Sequence, residues 1–134
     1  MKIDGGCHCG RIAYEAVVDA NEVGICHCTD CQTLSGSAYR VTVPASAESF
    51  RLLRGEPKIY IKTAESGRQR VHGFCGDCGT PIYAMAAVSN PRGYGLRVGA
   101  IRQRAELPPQ RRIWCRSALP WSTNLSGLEE HERE

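Results

Sequence analysis

Apolar and polar side chains alternate along most of this chain with the period of two that belongs to strands. Residues 11–18 set Ile12, Tyr14, Ala16 and Val18 against Arg11, Ala13, Glu15 and Val17, a half-buried strand ending at Asp19-Ala20-Asn21. Residues 38–43 predict a second strand, stopped by Pro44, which has no N–H for a ladder. Residues 50–54 and 58–62 predict two more around a Gly55-Glu56-Pro57 turn, and residues 68–74, 81–86, 94–98 and 111–116 complete the set. Only residues 30–35 suggest a helix, with Thr29 and Gln32 at the spacing of a capping box and Gly36 as a stop. Seven or eight short strands, frequent turn residues and one short helix predict a mainly β domain of antiparallel strands.

A chain of 134 residues is a single-domain length and can bury roughly two-thirds of its unfolded surface. No linker divides residues 1–134; a polar tail at about residues 127–134 is expected to fray. No apolar run nears the ~20 residues of a membrane helix, and Met1-Lys2-Ile3-Asp4 has no signal-peptide core, so a cytoplasmic protein off the membrane is expected. A net charge of +3 is too mild for nucleic-acid binding. All basic residues except Lys2, Lys58 and Lys62 are arginine, whose planar fork suits carboxylates.

Eight cysteines change the picture, because in a reducing compartment so many thiols in a short chain point to metal before disulfides. Cys26, Cys28 and Cys31 fall within six residues, too tight for three separate disulfides but suited to thiolates about 2.3 Å from one ion. Cys31 falls in the first turn of the expected helix, where the dipole and free N–H groups favour a thiolate. Glycines flank Cys7 and Cys9, and Cys75 and Cys78 form a second knuckle. The simplest partition joins Cys7, Cys9, Cys75 and Cys78 in a closed, structural zinc site. Cys26, Cys28 and Cys31 are left as ligands of a zinc with one open position, the arrangement of a catalytic centre. Two structural sites, with His27, His72 or Cys115 filling the fourth place of the second, are the main alternative. An iron–sulfur cluster and a redox Cys75/Cys78 pair fit the spacing less well.

Three thiolates around Zn²⁺ leave a formal charge of −1, which makes the metal a poor generator of hydroxide. Such a centre is better suited to receive a fourth sulfur and keep a substrate thiol deprotonated while an electrophile is presented.

The run Gly-Gly-Cys7-His8-Cys9-Gly, then Cys26-His27-Cys28-x-x-Cys31-Gln32, then Gly73-Phe74-Cys75-x-x-Cys78-Gly79-Thr80-Pro81-Ile82-Tyr83 resembles the glutathione-dependent formaldehyde-activating enzyme family, which includes centromere protein V. The likeness extends through residues 35–39, 54–60 and 113–121. It implies a zinc-stabilised β-tent, with Cys7, Cys9, Cys75 and Cys78 on a structural zinc and Cys26, Cys28 and Cys31 on a catalytic one. It also implies a carbon–sulfur lyase joining glutathione to formaldehyde as S-hydroxymethylglutathione. A zinc-stabilised module without turnover, carrying glutathione or docking a protein, is the alternative. The chain departs from the family after Arg97-Val98-Gly99, where an acidic turn is replaced by Ala100-Ile101-Arg102-Gln103-Arg104. If that turn borders the substrate cleft, the change alters which substrate is accepted.

His8 and His27 read as packing or hydrogen-bonding residues, and His72 as a strand residue with a general-base role as its rival. Gln32 reads as a helix cap, with orientation of the cysteine loop as the other possibility. Arg40, Arg70, Arg97 and Arg116 are candidates for clamping glutathione's carboxylates. Cys115 is expected to be a buried, inert thiol, and Phe74 and Trp121 core residues.

Overall fold

The computed structural model describes residues 1–134, and in it the alternating segments become ten strands. These are β1 (Lys2–Gly6), β2 (Ala13–Val17), β3 (Gly24–Cys26), β4 (Arg40–Ser46), β5 (Arg51–Arg54), β6 (Lys58–Thr63), β7 (Gln69–Phe74), β8 (Pro81–Ala86), β9 (Gly93–Arg97) and β10 (Arg111–Ile113). One helix, α1 (Thr29–Ser35), follows β3. The strands form a three-stranded sheet, β1-β2-β5, and a seven-stranded sheet, β10-β3-β4-β9-β8-β7-β6. All neighbours are antiparallel except β10 and β3, which run parallel. The mainly β class holds, with that one exception to the antiparallel expectation.

Cross-strand partners share a face, so the register of the large sheet separates two surfaces. Val43, Leu96, Tyr83 and Gly73 stand in one row. Their side of the sheet packs on Ile3, Tyr14 and Ala16 of the small sheet, in one buried cluster. Gly73 is glycine because the ring of Tyr83 lies across it, and a Cβ there would come within 2.6 Å of that ring. Phe50 bridges the layers, with its ring centroid 4.4 Å from Tyr94, 5.5 Å from Tyr14 and 5.6 Å from Tyr83. Tyr14 is fully buried and donates its hydroxyl to the Ala100 carbonyl at 3.2 Å.

The neighbouring positions point the other way. Thr42 pairs with Arg97, Ala84 with both Gly95 and His72, and Arg70 with Lys62. Small residues in the middle and cations around them make this second face a floor for chemistry, not for packing.

Several expectations are corrected. β1 and β3 were not foreseen, because Gly5, Gly6 and Gly24 dilute their alternation. β4 runs through Pro44 to Ser46; β3 has ended opposite Thr42, and the next residues on that edge meet β4 through a Val18–Ala45 bridge and an Asp19 amide that donates to the Pro44 carbonyl, so no ladder bond needs a Pro44 N–H. The last strand stops at Ile113, because Trp114 takes a left-handed conformation (φ 56°, ψ 38°) and a 3-10 turn follows at Cys115–Ser117. Cys115 is therefore exposed, Trp121 is 62% exposed, and Phe74 is only partly buried. No helix is long and apolar enough to cross a membrane.

Candidate metal centres

Two tight turns bring four sulfurs together. Cys7 and Cys9 follow β1, and Cys75 and Cys78 lie between β7 and β8. Each turn closes on its own backbone: the Gly10 amide donates to the Cys7 carbonyl at 3.1 Å, and the Gly79 amide to the Cys75 carbonyl at 2.8 Å. The His8 amide donates to Thr80 Oγ1 at 3.0 Å, joining the knuckles. All four Sγ atoms lie within 4.8 Å of one another, with Cys7–Cys9 at 3.6 Å and Cys9–Cys75 at 3.7 Å. A tetrahedron with bonds of about 2.3 Å has edges of about 3.8 Å, so these spacings suit four thiolates on one ion. Amide donation from Ile12 to Cys7 Sγ at 3.2 Å also favours a thiolate. The Thr80 hydroxyl, 3.2 Å from Cys78 Sγ, leads the causes that hold Cys78 down to about 5. For Cys9 the Arg11 amide lowers the value, but burial and hydrogen bonds to Cys7, Cys78 and Cys75 outweigh it and push the thiol up to about 12. Without an ion the cluster therefore shares protons, which a metal would displace.

The second group is more local. Cys26 ends β3, Cys28 is the N-cap of α1, and Cys31 lies in its first turn, with their Sγ atoms again within 4.8 Å of one another. The cap differs from the expected capping box. Cys28 Sγ, not Thr29, accepts the Cys31 amide at 3.3 Å. Gln32 does not reach back to the cap; its Nε2 donates to the His27 carbonyl at 2.9 Å and the Ser117 carbonyl at 3.0 Å, so it orients the cysteine loop. Gly36 ends the helix as expected, at φ 65°, with its amide on the Gln32 carbonyl. No fourth Cys, His, Asp or Glu joins the trio. His27 is buried with its ring edge-on to Tyr39 at 5.4 Å, and both ring nitrogens lack partners. The Cys115 thiol points instead at the Arg112 carbonyl, 3.8 Å away. A hydrogen bond from Cys31 leads the causes that lower the Cys26 thiol, and the same bond leads those that raise Cys31.

The trio opens on a cavity of about 300 Å³ floored by the sheet's polar face. Arg97, Arg70, Lys62 and Arg111 line it against one carboxylate, Glu22, which pairs with Arg111 at 2.6 Å. Lys62 also ties β6 to the helix through Asp30 at 2.9 Å. Arg97 donates from Nη1 to Thr42 Oγ1 at 2.9 Å and from Nη2 to His72 Nδ1 at 3.4 Å. A guanidinium only donates, so Nδ1 accepts and the imidazole is neutral with its proton on Nε2. Burial, then the charges of Arg97 and Arg40, hold His72 down to about 4. Burial and Arg40 likewise bring Arg97 down to about 9.

Of the four candidate clamps, Arg70 and Arg97 line this cavity and Arg40 is buried beside it. Arg116 instead stacks over the Trp114 ring at 5.1 Å. Trp114 itself, the only non-glycine with positive φ, lines the cavity and was not foreseen. Nothing in a sequence marks a left-handed tryptophan. His72 and Arg97, both already candidates from the sequence, do line the cavity, each a polar residue one step out of phase with an apolar strand face. The basic turn at residues 100–104 does not line the cavity. Ala100 and Ile101 are buried, and Arg102 and Gln103 bind Asp4 of β1 at 3.2 Å and 2.6 Å. Its altered sign serves the fold.

Fold and site together define a mainly β protein with two separate sulfur clusters, four thiols and three, each able to hold a metal ion. Residues 2–117 match the family described as glutathione-dependent formaldehyde-activating enzyme, and the chain belongs to that family. It is also similar in fold to a crystal structure of a Rhodobacter sphaeroides protein, with a TM-score of 0.62 at 22% identity, covering 81% of this chain and 98% of that one.

Proposed function

We propose that this protein is a carbon–sulfur lyase that joins a thiol, glutathione foremost, to formaldehyde or another small aldehyde. In this reading Cys7, Cys9, Cys75 and Cys78 hold a structural zinc, and Cys26, Cys28 and Cys31 hold a second zinc with one open position. The observation that carries it is the incomplete trio: three sulfurs with no fourth side chain, facing a cavity walled by cations. Zinc bound there supplies a place where an incoming thiol is held as a thiolate.

The chain's own residues do the rest. Arg70 and Arg97 present planar forks to the carboxylates of the thiol substrate, and the nearby Lys62 adds charge. His72, neutral and fixed by Arg97, lines the cavity with Nε2–H as its remaining donor, a hydrogen bond for the carbonyl oxygen as it becomes an alkoxide. Ile113 and Trp114 supply an apolar rim that limits water. Eight free thiols suit a reducing compartment such as the cytoplasm.

Wild type and Cys28→Ser are to be compared across thiol and aldehyde pairs, with zinc content measured on both. The reading expects two zinc ions in the wild type, one in the variant, and condensation above the spontaneous rate in the wild type alone. Equal rates would remove the catalytic claim.

A further inference from the structure

Beside the trio's cavity lies a second, of about 320 Å³, and His72 lines both. Its wall is largely apolar, built from Leu34, Tyr60, Phe74, Pro81 and Tyr83. Leu34 stands three residues beyond Cys31 on α1, so the two share one side of the helix. Arg40, the cross-strand partner of Cys26, also lines this space. It is only 5% exposed, yet its Nε and Nη2 have no hydrogen-bond partner. Its charge therefore sits in the wall of this space without a side-chain partner of opposite sign.

Formaldehyde has no substituent to place in such a space. An apolar cavity of about 150 Å³ suffices for benzene, so this one has room for a phenyl or a branched alkyl group. Building on the activity proposed above, we propose that the second cavity seats the apolar substituent of the carbonyl substrate. The preferred aldehyde then carries a branched alkyl or phenyl group.

In the reaction the thiol sulfur bonds to the carbonyl carbon as the C=O π pair moves onto oxygen. The proton given up by the thiol ends on that oxygen, and nothing is oxidised or reduced. The positive charge of Arg40, which lines this cavity, favours the oxygen while its negative charge develops.

The zinc-loaded full-length protein is to be assayed with glutathione against formaldehyde, 3-methylbutanal and phenylacetaldehyde, each corrected for the uncatalysed rate. The two larger aldehydes should exceed formaldehyde in kcat/KM by at least about tenfold. Leu34→Trp should lower that ratio by a similar factor, and Leu34 is 37% exposed, so the fold has room for the change. In parallel, 2-phenylethanol, which has the substituent but no carbonyl, should shift the NMR resonances of the Leu34 methyls and the Phe74 ring. A preference for formaldehyde, or an alcohol titration that moves neither residue, overturns this inference and leaves thiol–aldehyde condensation standing. Absence of turnover with every aldehyde overturns both.

Discussion

Cys26 and Arg40 stand opposite each other in the register of β3 and β4, which fixes a buried guanidinium beside the sulfur trio. Burial pulls Arg40 below its usual value, and Cys31, Cys28 and Cys26 push it back up. Three thiolates with one divalent ion carry a net charge of −1, and the Arg40 charge, coupled to all three sulfurs, offsets it. Arg40→Met should therefore weaken metal binding at the trio by about 10- to 100-fold. The four-cysteine centre should keep its ion. Competition with a chromophoric chelator, following both ions, measures the two affinities.

The two clusters should differ in what they contribute to stability. Cys75, 1% exposed, belongs to the set that ties a turn near the N-terminus to one more than sixty residues away. Cys75→Ser should cost several kcal/mol of folding free energy, because metal binding there is folding energy. Cys28→Ser should cost less, on the order of 1 kcal/mol, because serine still caps α1 and the trio closes only a short loop. Urea denaturation of the zinc-loaded proteins gives both values.

His72 makes stability depend on pH in a direction that can be worked out. In the unfolded chain it takes a proton near 6.5, and in the folded protein only near 4. The unfolded state therefore binds more protons between those values, so stability falls as pH drops from about 6.5 toward about 4. With its ring only half-buried, the loss amounts to on the order of 1–2 kcal/mol. His72→Gln should flatten that part of the profile relative to wild type, in denaturation curves measured with zinc in excess.

Much of this architecture was legible in the chain. Tyr14 and Ala16 alternate with Glu15 and Val17 because one face of β2 is core, and that period survives any detail of packing. The sulfur clusters were legible for a similar reason, since short-range spacing decides which thiols can meet. What escaped notice depends on distant partners. Gln32 bonds to Ser117, eighty-five residues away, and Arg102 to Asp4 from the far end of the chain. The face assigned to Arg97 or His72 follows from register, which sequence alternation suggests but does not align. β3 is too short and too interrupted by Gly24 to announce itself, yet it carries Cys26.

Trp114 holds a conformation that costs a non-glycine residue about 1–2 kcal/mol. Trp114→Gly removes that strain while opening the rim of the trio's cavity. The variant should be no less stable than wild type to within about 1 kcal/mol, yet, if the proposed function holds, bind glutathione more weakly. Thermal unfolding and isothermal titration with glutathione, run on the same preparations, separate the two effects. A variant that both unfolds early and binds normally would show that Trp114 serves packing alone.

The parallel pairing of β3 with β10 carries a consequence for the order in which a growing polypeptide matures. All sulfurs of the knot between the two turns exist once the ribosome has added residue 78, and Thr80, which joins the turns, follows two residues later. The trio is synthesised much sooner, by residue 31, but Ile113 and Ser117, which brace it from outside, emerge among the last residues of the matched region. The earliest cysteine triplet to leave the exit tunnel is thus the latest to acquire its finished surroundings, and the four-sulfur cluster can be assembled before the trio is braced.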